Sequence, residues 1–263
     1  MVTKIITKEK NHLLLNKLRK LYDFGSEQIE KIELNEDQPS FNNQVLLIQT
    51  AFINQYTHGI IILCQQCLPE SAMLLVRSAF ESLLNINYIL EDASDYRAKS
   101  FILHESKDKK KNARQIDCLY QQDPSLEKEK GFLPSQELKD LIVQVNKNIT
   151  NFEKREGKTF DWNDNLLIRL QELDRTNDNK DWEFQYRTIY WHLSQFSHAT
   201  SRSSINMEKF DSNTKSIQIE LDSHEEGLEF PIIMATVVYI ELMSILSKRF
   251  NIPSKDELDR ISW

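Results

Sequence analysis

Glycine and proline are scarce, 5 and 6 in 263 residues. So few turn-formers cannot punctuate the many short connections of a sandwich, a barrel or a doubly wound sheet, which leaves an all-α fold as the default. Cysteine is scarcer still, with 3 residues, too few for a disulfide framework, and reduced thiols are expected. Cys64 and Cys67 form a C-x-x-C. No second pair or suitably spaced Cys/His set completes a zinc site, so buried helical cysteines are the simpler reading, and no metal or cofactor is expected. Positive charge is also short: 33 Lys and Arg stand against 40 Asp and Glu, a net charge of -7. That excludes a surface that binds nucleic acid all over and leaves room for a local basic patch. No uncharged apolar run reaches the roughly 18 residues of a membrane span. Met1–Lys20 interrupts its apolar residues with charges and has no small-residue cleavage site. Cytoplasmic residence with no membrane partner is the expectation.

What the chain does have is helical periodicity. Leu14, Leu15, Leu18, Leu21 and Tyr22 recur among Lys and Glu, which predicts an amphipathic N-terminal helix broken by Gly25 and by the polar stretch Asn35–Ser40. We read 1–40 as a helical arm or dimer element, 41–250 as one multi-helix bundle and 251–263 as a tail. Within the bundle, Phe41–Gln66 and Ser71–Leu90 form a helical hairpin, with Pro69 in the first turn of the second helix. Further helices are expected from Asp95 onward, over Ser135–Glu156 with Ser135 as cap and Gly157 as stop, over Asp161–Leu173, Asp181–Ala199 and Leu228–Phe250. Ser216–Leu221 (SIQIEL) alternates apolar and polar residues and places a small β-hairpin near 204–222. The helix from Asp95 carries a basic run, Lys107, Lys109, Lys110, Lys111 and Arg114. It reads either as a solvated face or as an RNA-backbone contact.

Two stretches carry the candidate chemistry. Arg77 and Glu81 are the only charges of Ser71–Leu90 and share a helical face. Burying such a pair is costly unless partners are arranged for it. Tyr190, Ser194 and His198 follow at four-residue steps on a later helix, with Arg187 one heptad before Ser194. A serine hydrolase is poorly served, because neither an orienting carboxylate nor a Gly-rich oxyanion loop is evident. Metal-independent RNA cleavage is easier to assemble. Arg77 would bind phosphate, His198 would exchange a proton with a ribose hydroxyl, and Glu81, Tyr190 and Ser194 would orient them. The rival is a non-enzymatic binding or scaffold module in which Arg77, Glu81 and His198 form a buried structural network.

R-S-A-F-E at Arg77–Glu81 followed by the Tyr190, Ser194, His198 spacing resembles an uncharacterised bacterial family of all-helical proteins with an R-S-x-x-E helix and a distal Y-x-x-x-S-x-x-x-H helix. That family is similar in outline to the higher-eukaryote and prokaryote nucleotide-binding (HEPN) superfamily. The resemblance implies a helical bundle, often a homodimer, acting on RNA or nucleotides. It also implies a ribonuclease of a toxin-antitoxin or phage-defence system, with an antitoxin or defence-system partner. In that superfamily four to six residues separate an Arg from a following His, a spacing offered here by Arg187 and His192, with four between, and by Arg97 and His104, with six. On a regular α-helix the first pair diverges by about 140° and the second shares a face.

Overall fold

A computed structural model describes residues 2–34, 40–129, 133–163, 165–176, 181–197, 208–211, 216–219 and 227–252. The described elements are helices α1 (Val2–Glu30), α2 (Phe41–Gln65), α3 (Pro69–Leu90), α4 (Tyr96–Gln122), α5 (Ser125–Glu129), α6 (Ser135–Glu156), α7 (Leu166–Thr176), α8 (182–197) and α9 (Glu229–Phe250), with strands β1 (Glu208–Asp211) and β2 (Ser216–Ile219). The strands pair antiparallel, Glu208 opposite Ile219 and Asp211 opposite Ser216, so the alternating SIQI segment forms a strand as its period of two requires. Among the described residues the fold is all-helical apart from this hairpin. The chain packs into two compact units, one of Met1–Pro39, Leu46–Asn87 and Leu170–Trp263, the other of Ser40–Val45 and Tyr88–Arg169.

In the first unit α1 runs along α9 as part of the core. Leu18, Leu21, Tyr239 and Leu242 are fully buried. Gly25 does not break α1, since the helix continues to Glu30. The α2–α3 hairpin forms as the short connection demands. Cys67 takes the left-handed conformation (φ 55°), and Leu68 N–H bonds back to the Leu63 carbonyl at 2.9 Å, which closes α2 before Pro69 opens α3. Gly59 lies against α3, where a Cβ would come 2.6 Å from Leu75 Cδ1. Leu46, Ile53, Ile60, Leu84 and Ile86 are buried to within 2 %. Both α2 and α9 are long and apolar enough, by length and composition, to cross a membrane, and 44 % and 50 % of their apolar windows lie inside the fold. Core helices read the same way.

In the second unit α4 packs along α6 around Ala113, Tyr120 and Leu138, with Ile116, Leu141 and Ile142 against them. Lys99 Nζ and Glu156 Oε1 pair at 3.1 Å, both largely covered. α6 spans the expected residues and stops at Gly157 (φ 64°). Its start differs, because Ser135 does not cap it: the Ser135 hydroxyl donates to Asp117 Oδ1 and its amide to Glu127 Oε1. α7 begins at Leu166 rather than Asp161, since Trp162 is buried against Phe101, ring centroids 5.1 Å apart, in non-helical backbone.

The capping of α2 comes from far along the chain. The Asp95 carboxylate accepts from Phe41 N (3.0 Å), Asn42 N (3.1 Å) and Ser40 Oγ (2.9 Å), satisfying two orphan amides of the first turn. Asp92 does the same for α4. Burial works against its charge, but hydrogen bonds from Ser94 and from Arg97 N–H outweigh it and hold the carboxyl below the usual range. Asp95→Ala is expected to cost about 1–2 kcal/mol in urea unfolding. A loss below about 0.3 kcal/mol would mean that the cap contributes nothing.

Candidate functional site

The tyrosines of α8 are placed by a firmly held helix start. Asp181 Oδ1 accepts from Phe184 N, and Asp174 on α7 accepts from Trp182 N and Glu183 N at 2.9 and 2.8 Å. Three amides at the positive end of the helix therefore meet two carboxylates. The helix then widens: Tyr186–Tyr190 form a π turn between Trp182–Gln185 and Trp191–Ser197. A π turn holds one extra residue, which sets everything beyond it back by about 100° against regular α geometry. The expected single stripe is broken accordingly. Arg187 faces solvent and pairs with Glu183 Oε1 at 2.7 Å, while Tyr190 turns onto α3.

Around Tyr190 the candidate residues assemble. Arg77 Nε donates to Glu81 Oε1 at 2.9 Å, and Arg77 Nη2 donates to the Tyr190 hydroxyl at 2.5 Å. The guanidinium carbon stands 4.7 Å from the Tyr190 ring centroid. Tyr186 stacks on Tyr190, with centroids 4.3 Å apart and planes 16° off parallel. Burial opposes the Arg77 charge, but the hydrogen bond and charge of Glu81, followed by Tyr190, raise its pKa above the ordinary value. Burial first, then Tyr190 and the negative charge of Glu81, push the Tyr186 phenol up to about 12. The cluster thus holds a fixed cation beside a Tyr186 phenol that stays neutral at any physiological pH. It is not sealed, since the Arg77 and Glu81 side chains keep 20 % and 36 % of their surface in solvent. A cavity of about 400 Å³ lined by Phe80, Leu83, Trp182, Ile189, Met234 and Val238 lies between the same helices and α9, but Arg77, Glu81 and Tyr190 do not line it.

Of the five residues singled out in sequence, Arg77, Glu81 and Tyr190 are in direct contact. Ser194 is on the same helix, with its hydroxyl donating to the Tyr190 carbonyl at 2.7 Å. His198 lies outside the described residues. Tyr186 was missed, although the four-residue step from Tyr190 to Ser194 points back to it when extended one place toward the N-terminus. The alternative Arg/His pairs are engaged elsewhere. His192 packs edge-on against Phe230, centroids 4.8 Å apart. Arg97 donates to the Tyr88 carbonyl at 2.8 Å and covers the Tyr88 ring, and His104 sits beside Trp162 and Asp108. Cys64 is buried, and burial, then Cys67, push its thiol up to about 12, the reverse of what thiolate chemistry requires. Among the described residues no group of three or more His, Cys, Asp or Glu is placed to hold a metal ion.

The sequence pattern described as "Family of unknown function (DUF5677)" matches residues 43–215, more than half of the chain, and takes in Arg77, Glu81, Tyr190, Ser194 and His198. No curated protein and no solved structure matches the chain.

Proposed function

We propose, from the premise that the chain belongs to DUF5677, that it acts on RNA or nucleotides at the Arg77–Tyr190 cluster, as a HEPN-like, metal-independent ribonuclease. The observation that carries this reading is a guanidinium kept charged and part-exposed beside two stacked phenols. Arg77 offers a fork for a phosphate oxygen, and the tyrosine faces offer a platform for a base. His198 takes the proton of a ribose 2′-hydroxyl as that oxygen attacks the adjacent phosphorus. The 5′-oxygen leaves and receives a proton, giving a cyclic phosphate and a free 5′-hydroxyl. Glu81 and Tyr190 hold the guanidinium in place. A cytoplasmic homodimer, with an antitoxin or defence-system partner, belongs to the same proposal.

The second reading is a structural network, favoured by the engagement of Arg77 Nε and Nη2 within the fold. Labelled single-stranded RNA incubated with wild type and with His198→Ala separates the two. Cleavage products from wild type, reduced about 100-fold or more in the variant, are expected for a proton-transfer group. Equal products from both would remove His198 from the chemistry.

A further inference from the structure

A second feature of the molecule is electrostatically at odds with its own helix. Lys107, Lys110, Lys111 and Arg114 lie at i, i+3, i+4 and i+7 on α4, so they share one face. Lys107, Lys111 and Arg114 are exposed and Lys110 is half-buried. Four like-charge pairs stand at helical contact spacing, 107 with 110 and 111, and 114 with 110 and 111, against two acidic neighbours at the same spacing, Asp108 three before Lys111 and Asp117 three after Arg114. Like charges at these spacings oppose the helix that carries them. Elsewhere on α4 the sequence avoids this arrangement, since Lys109 pairs with Glu105 at 2.7 Å and His104 stands 3.5 Å from Asp108. Lys110 donates to a neutral acceptor, Asn146 Oδ1. The four cations with Asp108 and Gln115 border a surface concavity of about 380 Å³. A chain of net charge -7 has collected four positive charges on one helical face within eight residues, where they repel one another.

We infer that this stripe is a docking track for the phosphate backbone of single-stranded nucleic acid. Its function would be to bind the RNA of the reading proposed above, on which this inference rests. A polyanion presenting one charge per nucleotide relieves all four repulsions together, as separate small anions do not. The cations repeat at each helical turn, about 5.4 Å, and extend over about 10 Å of axis, room for several consecutive phosphates. The stripe itself carries no aromatic residue, Phe160 standing at one end of it with its ring centroid 5.9 Å from Lys107 Nζ, and no large apolar residue to enter a bilayer. Its contact is therefore with phosphates, independent of sequence and steeply dependent on salt.

The test is fluorescence anisotropy of a labelled oligouridylate across a salt series. It compares wild type, a variant with Lys107, Lys110, Lys111 and Arg114 all changed to Gln, and a charge-matched control with Lys20, Lys31, Lys139 and Lys154 changed to Gln. For single strands each phosphate contact contributes about 0.7 to the slope of log K against log salt, so the stripe variant should lose about 2–3 in slope and the control much less. Its affinity at physiological salt should fall about tenfold or more. In the absence of RNA the stripe variant should melt at the same temperature as wild type or higher, because its repulsions are gone. The double variant Lys111→Gln with Arg114→Gln should show about half the slope change, which keeps the measurement interpretable if the fourfold change disturbs α4. An unchanged slope in the stripe variant, an equal change in the control, or stripe-dependent binding to phosphatidylserine vesicles without RNA binding each overturns the inference. Arg77→Met, run alongside, removes at most one phosphate contact. Lost cleavage in Arg77→Met with an unchanged slope in the stripe variant sinks the track alone, whereas the opposite pattern sinks the Arg77 site alone. No RNA binding by wild type sinks both.

Discussion

Gly25→Val is expected to destabilise the fold by about 3 kcal/mol or more, and Gly25→Ala by about 1–2 kcal/mol. A Cβ at position 25 would stand 2.5 Å from Tyr239 Cε1, 2.6 Å from its hydroxyl and 2.9 Å from Cζ. All three distances are well inside contact. The Tyr239 ring cannot easily withdraw, because it is fully buried and its hydroxyl bonds to Asn54 Oδ1 at 2.7 Å, an oxygen that also accepts from Ser26 Oγ at 3.0 Å. Moving the ring breaks that network and leaves buried polar atoms without partners. Replacing a helical glycine by alanine would otherwise gain about 1 kcal/mol in propensity, which is why the alanine variant loses less than crowding alone predicts. Urea unfolding midpoints check both values. Combining Gly25→Ala with Tyr239→Leu should cost less than the sum of the two single changes, since leucine vacates the space the new methyl needs. A valine variant within about 0.5 kcal/mol of wild type would show that α1 and α9 do not approach this closely.

Gly25 also marks the limit of what the sequence discloses. Read locally, a glycine in a helical pattern suggests an end, and the reason for it stands more than two hundred residues away on α9. Local punctuation was legible where the cause is local. Pro69 at the start of α3 and Gly157 after α6 both act within their own backbone. Ser135 fails as a cap for the same reason that Gly25 fails as a break, since it serves carboxylates outside its own helix, and the α2 cap, Asp95, likewise stands far from the helix it closes. Arg77 and Glu81 stood out because charges in an apolar helix are expensive, and their meeting with Tyr190 follows from α3 and α8 packing side by side. The displacement of Arg187 was not legible. It depends on a π turn, which a hydrophobic pattern at 3.6 residues per turn has no means of registering.

Arg77→Met is expected to weaken binding of single-stranded RNA by about tenfold to a hundredfold while lowering stability by only about 1 kcal/mol. Methionine keeps most of the apolar stem and removes the fork that would hold phosphate, so the binding loss is that of one charged hydrogen-bonding group. The stability loss stays small because Glu81, with more than a third of its side chain in water, regains hydration once its partner is gone. A structural network demands the reverse, about 3 kcal/mol of lost stability with RNA binding unchanged, because stranding a buried charge is what makes such networks intolerant. Tyr190→Phe sharpens the distinction. It deletes the hydroxyl that accepts from Arg77 Nη2 and keeps the ring stacked on Tyr186, freeing one guanidinium hydrogen for a ligand. If Arg77 contacts phosphate, the phenylalanine variant binds RNA at least as tightly as wild type and loses cleavage through a less fixed guanidinium. If the cluster only holds α3 against α8, Tyr190→Phe and Arg77→Met destabilise together and neither alters RNA binding.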